Sequence, residues 1–99
     1  MVRVLYRWRV APARHQQFVT WWHDGTVRIR ESQPGVLGST LCRPSDDADV
    51  FVGIARWESR AAVEAFWARA TGDGFDGAVL ESIQVLDELD DLTLGPSPA

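Results

Sequence analysis

Three observations predict an α+β fold with the element order β-α-β-β-α-β. Residues 2 to 10 alternate strictly, with Val2, Val4, Tyr6, Trp8 and Val10 on one face and Arg3, Leu5, Arg7 and Arg9 on the other, as a half-buried strand requires. Two segments, 14 to 32 and 60 to 70, carry apolar residues at helical spacing. Between them stand two runs rich in β-branched and aromatic residues, joined by a short turn, and an acid-rich run closes the chain. This order is the split βαβ arrangement of ferredoxin-like folds, an antiparallel sheet in which the first strand lies between the third and the fourth.

Each element has a local cause. Ala11-Pro12-Ala13 ends the first strand, and Phe18, Trp21, Trp22, Gly25 and Ile29 then share one stripe of a helix from Arg14 to about Ser32. Val27 sits about half a turn out of phase with Phe18, so either it is exposed or the helix bulges near Gly25. Gln33-Pro34-Gly35 stops this helix, and Val36 to Cys42 reads as the second strand, interrupted at Gly38. Arg43-Pro44-Ser45-Asp46-Asp47 turns the chain into a third strand, Asp49 to Glu58, which completes a hairpin. Ser59 is the expected N-cap of a second helix, Arg60 to about Ala70, with Val63, Phe66, Trp67 and Ala70 on its stripe. After Gly72 and Gly74, Phe75 to Ser82 is expected to form a short helical turn, weakened by Gly77, before a last strand from Gln84 to Leu94. Residues 1 to 94 are thus expected to form a single domain, with the Pro/Ser tail 95 to 99 frayed.

With 99 residues, 45% hydrophobic and 24% charged, the chain fits one core. A domain of this size buries only about two-thirds of its unfolded surface, which favours association with a partner. No apolar run approaches the ~20 residues of a membrane span, and the Arg-studded N-terminus does not read as a signal peptide, so a soluble, cytoplasmic protein is expected. The single cysteine, Cys42, excludes an internal disulfide and a cysteine-cluster metal site, leaving a reactive thiol or a small buried hydrophobe. All ten positive charges are arginine, which removes Schiff-base chemistry and a phosphate-loop lysine. A net charge of −4 argues against nucleic acid as a partner.

Arginine dominates the first thirty residues and acids dominate from Asp73 onward. Pairing the first strand with the last sets its arginines against Asp87, Glu88, Asp90 and Asp91, each opposed pair contributing about 0.2–1 kcal/mol. Helices cover one face of such a sheet, so Leu5, Val50, Val52 and Ile54 on the other need a cover that a second copy of the sheet would supply.

Tyr6-Arg-Trp-Arg-Val-Ala-Pro-Ala, Phe18 to Trp22, Gln33-Pro34-Gly35 followed by Leu37-Gly38, and Ala55-Arg-Trp-Glu-Ser59 together resemble the antibiotic biosynthesis monooxygenase family over roughly residues 2 to 70. The resemblance implies a homodimer in which two ferredoxin-like sheets face each other as a dimeric α+β barrel, with a pocket in each subunit between sheet and helices. It also implies oxygenation of quinol-like or polyketide aromatic compounds without metal or flavin, or haem degradation, or another activity on the same scaffold. Polyketide-oxidising members carry an Asn four residues before the third-strand Trp; Trp57 matches the Trp, but the Asn position is Gly53. The Asn, Trp and His of haem-degrading members fall approximately on Tyr6, Trp67 and Val79, so only the Trp is kept.

The residues themselves point to a flat aromatic ligand. Trp8, Phe51 and Gly53 on the strands face Phe18, Trp22, Phe66 and Trp67 on the helices, a set suited to stacking, and Gly53 is expected to leave space beside Tyr6. His15, near the edge of the helical stripe, is the expected base, Tyr6 the orienting hydroxyl, and Trp57 completes the candidate catalytic set. His23 projects to the polar side. No metal or cofactor is expected, since His15 and His23 lie about 80° apart around the helix, His23, Asp24 and Glu31 lack a ligand spacing, and no dinucleotide fingerprint follows a strand. The expected function is cofactor-independent monooxygenation of a small quinol- or anthrone-like aromatic. The alternatives are a non-catalytic binding protein for a hydrophobic small molecule or haem, and an isomerase.

Overall fold

Strict alternation makes residues 2 to 10 the central strand of the sheet. In the computed structural model, which describes residues 1–70 and 74–93, β1 (Val2–Val10) pairs antiparallel with β3 (Val50–Trp57) on one side and with β4 (Ala78–Asp87) on the other. The hairpin partner β2 (Val36–Cys42) completes the order β2-β3-β1-β4. This is the ferredoxin-like sheet. Helices α1 (His15–Ser32) and α2 (Arg60–Arg69) pack on the face that carries Val2, Val4, Val10, Phe51, Ala55 and Trp57.

Helix α1 follows a single turn of 3-10 helix, Pro12–Arg14, with proline in its first turn where no amide donor is missed. It runs unbroken through Gly25, and Val27 is exposed, so the phase mismatch is resolved by exposure and not by a bulge. Ser59 caps α2 as expected, its hydroxyl accepting from the Ala62 amide at 3.1 Å, an arrangement worth about 1 kcal/mol. Phe18 and Val63 are the fully buried anchors of the two helices. Gly38, at φ +143°, marks a register shift where β2 meets β3.

The C-terminal part differs from expectation. Residues 75 to 82 form no helical turn: Ala78 begins β4, and the strand ends at Asp87 instead of Leu94. Its register explains why period two was hidden. A bulge at Glu81 slips the ladder, so Leu80 opposes Trp8 while Ile83 and Val85 oppose Tyr6 and Val4, and even- and odd-numbered residues share one face. Gly77, at φ +96°, makes the turn that aims the chain into this strand. The tail 95 to 99 lies outside the described residues.

On the face away from the helices, Arg7 and Arg9 both reach Glu81, and Arg3 and Arg56 converge on Glu88 and Asp91. The attraction between the two ends of the chain is therefore realised, through Glu81, Glu88 and Asp91. Val50, expected to await an external cover, is already fully buried at the corner where Arg9 opposes it and holds Asp47. Leu5, Val52 and Ile54 are partly exposed. Cys42 is exposed.

Candidate active site

Between the helices and the inner face of the sheet lies a cavity of about 680 Å³, within the range of small-molecule sites. Tyr6 and Trp8 from β1 and Gly53, Ala55 and Trp57 from β3 form its floor. Trp21, Trp22, Gly25 and Ile29 supply the α1 wall and Phe66 and Trp67 the α2 wall. Leu80 and Ile83 of β4 line the remaining side and are 45% and 46% exposed, so the cavity opens there.

Its chemistry centres on Tyr6. Trp67 Nε1 stands 3.0 Å from the Tyr6 hydroxyl, and because an indole N–H only donates, the phenol oxygen accepts. The hydroxyl's own hydrogen has no protein acceptor among the described residues. Burial pushes the Tyr6 phenol above its ordinary value, partly offset by the Trp67 hydrogen bond, so the group is a neutral donor at physiological pH. The Tyr6 ring stacks on Trp8, with centroids 5.6 Å apart and planes at 14°. Trp57 is almost completely buried and stacks on Phe66 at 5.3 Å.

Gly53 does not leave empty space beside Tyr6. A Cβ built there would lie 3.0 Å from the Trp8 ring and 3.3 Å from Trp22 Nε1, so the missing side chain is the seat of the Trp8 indole. Tyr6, Trp8, Trp22, Gly53, Trp57, Phe66 and Trp67 thus line one cavity. His15, Phe18 and Phe51 are not among its lining residues. Phe18 and Phe51 belong to a separate core with Val10, and the His15 ring stands edge-on to Phe51 at 5.2 Å. His15 Nε2 lies 3.0 Å from Asp49 Oδ1 and 3.3 Å from the Val10 carbonyl, so this nitrogen donates to structural partners.

Sequence reasoning missed Trp21, Gly25, Thr26, Arg28, Arg30 and Ser39, all of which line the cavity. The continuation of the α1 stripe through Gly25 to Ile29 was the available signal; the arginines read only as surface charge. Among the described residues no carboxylate or imidazole lines the cavity, and the charged groups that do are Arg28 and Arg30. No group of three or more His, Cys, Asp or Glu side chains suited to a metal ion occurs among the described residues. Val79 lies on β4 opposite Arg9, on the far face of the sheet.

A family model for antibiotic biosynthesis monooxygenases matches residues 1–71. No curated protein sequence is significantly similar to the chain. Among solved structures, the heme-degrader MhuD from Mycobacterium tuberculosis, with two hemes bound in its active site, is similar at a TM-score of 0.74 and 21% identity, covering 92% of this chain and 98% of that one. SnoaB, a cofactor-independent oxygenase from Streptomyces nogalater, is similar at a TM-score of 0.64 and 22% identity, covering 93% and 96%. At these identities the likeness is one of fold.

Proposed function

Because the chain belongs to the antibiotic biosynthesis monooxygenase family, we propose that it oxygenates a small, flat, electron-rich aromatic of the quinol or anthrone kind with molecular oxygen and no bound metal or flavin. The observation that carries this reading is the Tyr6 hydroxyl, braced by Trp67 and left with a hydrogen to donate inside a cavity walled by indole and phenyl rings. Such a donor stabilises the oxyanion of a deprotonated phenol or enol where water is scarce. Among the described residues no carboxylate or imidazole lines the cavity, so in this reading the proton leaves to water and the substrate's own acidity supplies the anion.

The anion passes one electron to oxygen, and recombination forms a carbon–oxygen bond. The peroxide takes up a proton and loses water, leaving a carbonyl where the ring carried CH2. One oxygen atom enters the product and the other leaves as water with the two hydrogens of that carbon. Tyr6 holds the substrate oxygen throughout, and Trp8, Trp22 and Trp67 exclude solvent.

Oxygen uptake with a panel of quinols and anthrones, in the presence of a chelator and with autoxidation subtracted, tests this reading. Saturable, protein-dependent uptake supports it; no uptake by compounds that saturably quench tryptophan fluorescence overturns it in favour of a carrier. The lack of a base among the described lining residues and glycine at position 53 favour that second reading, a binding protein for the same class of ligand.

We also propose that the chain is a homodimer, joined through the face carrying Leu5, Val52 and Ile54. These partly exposed apolar side chains sit among arginines whose charges are already met within the chain. Sedimentation at micromolar concentration that shows only an 11.1 kDa species overturns it.

A further inference from the structure

The inner face of the sheet carries two packed cores. The cavity reaches one of them directly, at Ala55 and Trp57, but none of the buried residues of the other, Val10, Phe18 and Phe51, lines it. The register shows what stands between. Tyr6 opposes Gly53 and Trp8 opposes Phe51, so these pairs are successive rows of one face, about 7 Å apart. By its backbone Trp8 belongs to the Phe51 row, yet its ring leans into the row beside it. Two atoms of its six-membered ring lie 3.0 and 3.3 Å from where a Gly53 Cβ would be, so the lean requires a residue without a side chain at that position. The ring is held there from several sides. It lies nearly parallel to Tyr6 with centroids 5.6 Å apart, and it meets Phe18 and Trp21 at 63° and 89°, with centroids at 5.3 and 6.5 Å. One side of Trp8 thus lines the cavity while the other packs on the Phe18–Phe51 core.

We propose that Trp8 is a specificity-determining residue, an end wall that limits how many fused rings a flat ligand can carry once its oxygen is held at Tyr6. The proposal rests on the aromatic-ligand reading above and adds a size limit set by one side chain. Packed interiors have low compressibility, so a ligand that extends along β1 from Tyr6 is rejected by steric conflict with the indole. Removing the indole exposes the Phe51 row and lengthens the floor by up to about 7 Å, more than the width of one further ring. A methyl group at position 53 acts in the opposite direction. It lifts Trp8 from its seat toward the cavity, because Phe18 and Trp21 close the other side. A wall therefore predicts opposite shifts in ligand size from two changes in contact. A residue that served only to support the fold would change affinity for short and long ligands alike.

The test is a tryptophan-quench titration with three uncharged probes, naphthoquinone, anthraquinone and naphthacenequinone, which add one fused ring at each step. The quantity read is the ratio of the Kd of the longest probe to that of the shortest. Trp8→Leu is expected to lower this ratio about tenfold, Trp8→Phe to lower it about threefold, and Gly53→Ala to raise it about threefold. Phe18→Leu loosens the core behind the wall and leaves the wall standing, so it is expected to lower the melting temperature and keep the ratio within about twofold. A ratio unchanged in the Trp8 variants, or one that moves as far in Phe18→Leu as in Trp8→Leu, overturns the wall while leaving an aromatic cavity standing. If Trp8→Leu does not fold, Trp8→Phe and Gly53→Ala decide: opposite shifts support the proposal, and shifts of one sign or none overturn it. Failure of all three quinones to bind the parent protein overturns the aromatic-ligand reading and this proposal with it.

Discussion

The Trp67 indole donates to the Tyr6 hydroxyl at 3.0 Å, joining the middle of the first strand to the second helix across 61 residues of sequence. This contact fixes the direction of the remaining hydroxyl hydrogen and so defines what the cavity can recognise. Tyr6→Phe is expected to keep the fold, at a cost of about 1 kcal/mol for the Trp67 donor it strands. It should reduce turnover, or affinity for phenolic ligands, by tenfold or more. Because burial raises the phenol's pKa, the Tyr6 contribution persists through pH 9. Steady-state rates and quench titrations of both proteins across that range check it, and equal values would remove Tyr6 from the site.

Gly53 separates two accounts of an absent side chain. Were it open space, an added methyl or carboxamide would be harmless. Instead a Cβ meets the Trp8 ring at 3.0 Å and the Trp22 nitrogen at 3.3 Å. Gly53→Ala is expected to destabilise by about 1–3 kcal/mol through overpacking, and Gly53→Asn by more, with a shift in tryptophan emission as Trp8 moves. Denaturant unfolding and emission spectra report both effects.

Much of the fold was legible because the responsible signals are local. Val2 to Val10 alternate without a break, Ser59 precedes an apolar run, and Pro34-Gly35 stops a helix. The bounds of the last strand escaped because the extra residue at Glu81 puts Leu80 and Ile83 on one face, a phase change fixed only by pairing with Trp8 and Tyr6. The aromatic composition of the site was equally readable. Which rings meet was not: Phe18 on its helical stripe and Phe51 on the inner face of its strand look like cavity residues but close a separate core with Val10. Arg28 was invisible for another reason, since nothing in a sequence tells an arginine that lines a cavity from one held by an acid.

His15 shows how proximity on a helix misleads. It has the chemistry of a base, yet its Nε2 is engaged by Asp49 and the Val10 carbonyl and it does not line the cavity. His15→Ala is therefore expected to lower stability by about 0.5–1.5 kcal/mol, through lost hydrogen bonds at the start of α1, while changing ligand affinity and turnover less than twofold. A large fall in turnover with unchanged melting would restore it as the base.

Gly25 lies in the interior of α1, where glycine costs about 0.8–1.0 kcal/mol relative to alanine. No packing demand explains that cost, since the nearest atom to an added Cβ is Arg28 Nη2 at an ordinary 3.9 Å. Gly25→Ala should therefore raise thermal stability. It should also weaken binding of flat aromatic ligands by projecting a methyl group into the cavity that Gly25 lines. Opposite signs in melting and in quench titration are the signature of a residue kept for the cavity; a gain in both would mean that the space is unused.

The charge cluster beyond β4 gives stability a pH dependence with a determinable sign. Arg56 clasps Glu88 through two bonds, Nη2 to Oε1 at 2.7 Å and Nε to Oε2 at 3.0 Å, and Arg3 adds a third at 3.2 Å. The Arg56 hydrogen bonds, then that from Arg3, hold the Glu88 carboxyl below its ordinary value. A group whose folded pKa is depressed contributes stability above its unfolded pKa and loses that contribution as pH falls through the folded one. Glu88→Gln is thus expected to be less stable than the parent by a constant margin above about pH 5. The margin should close progressively as the medium is acidified below that and should shrink in high salt. Urea unfolding at several pH values reads it directly. A margin unchanged down to pH 3 would mean that Glu88 acts by packing over Arg3 and Arg56, with its charge contributing nothing.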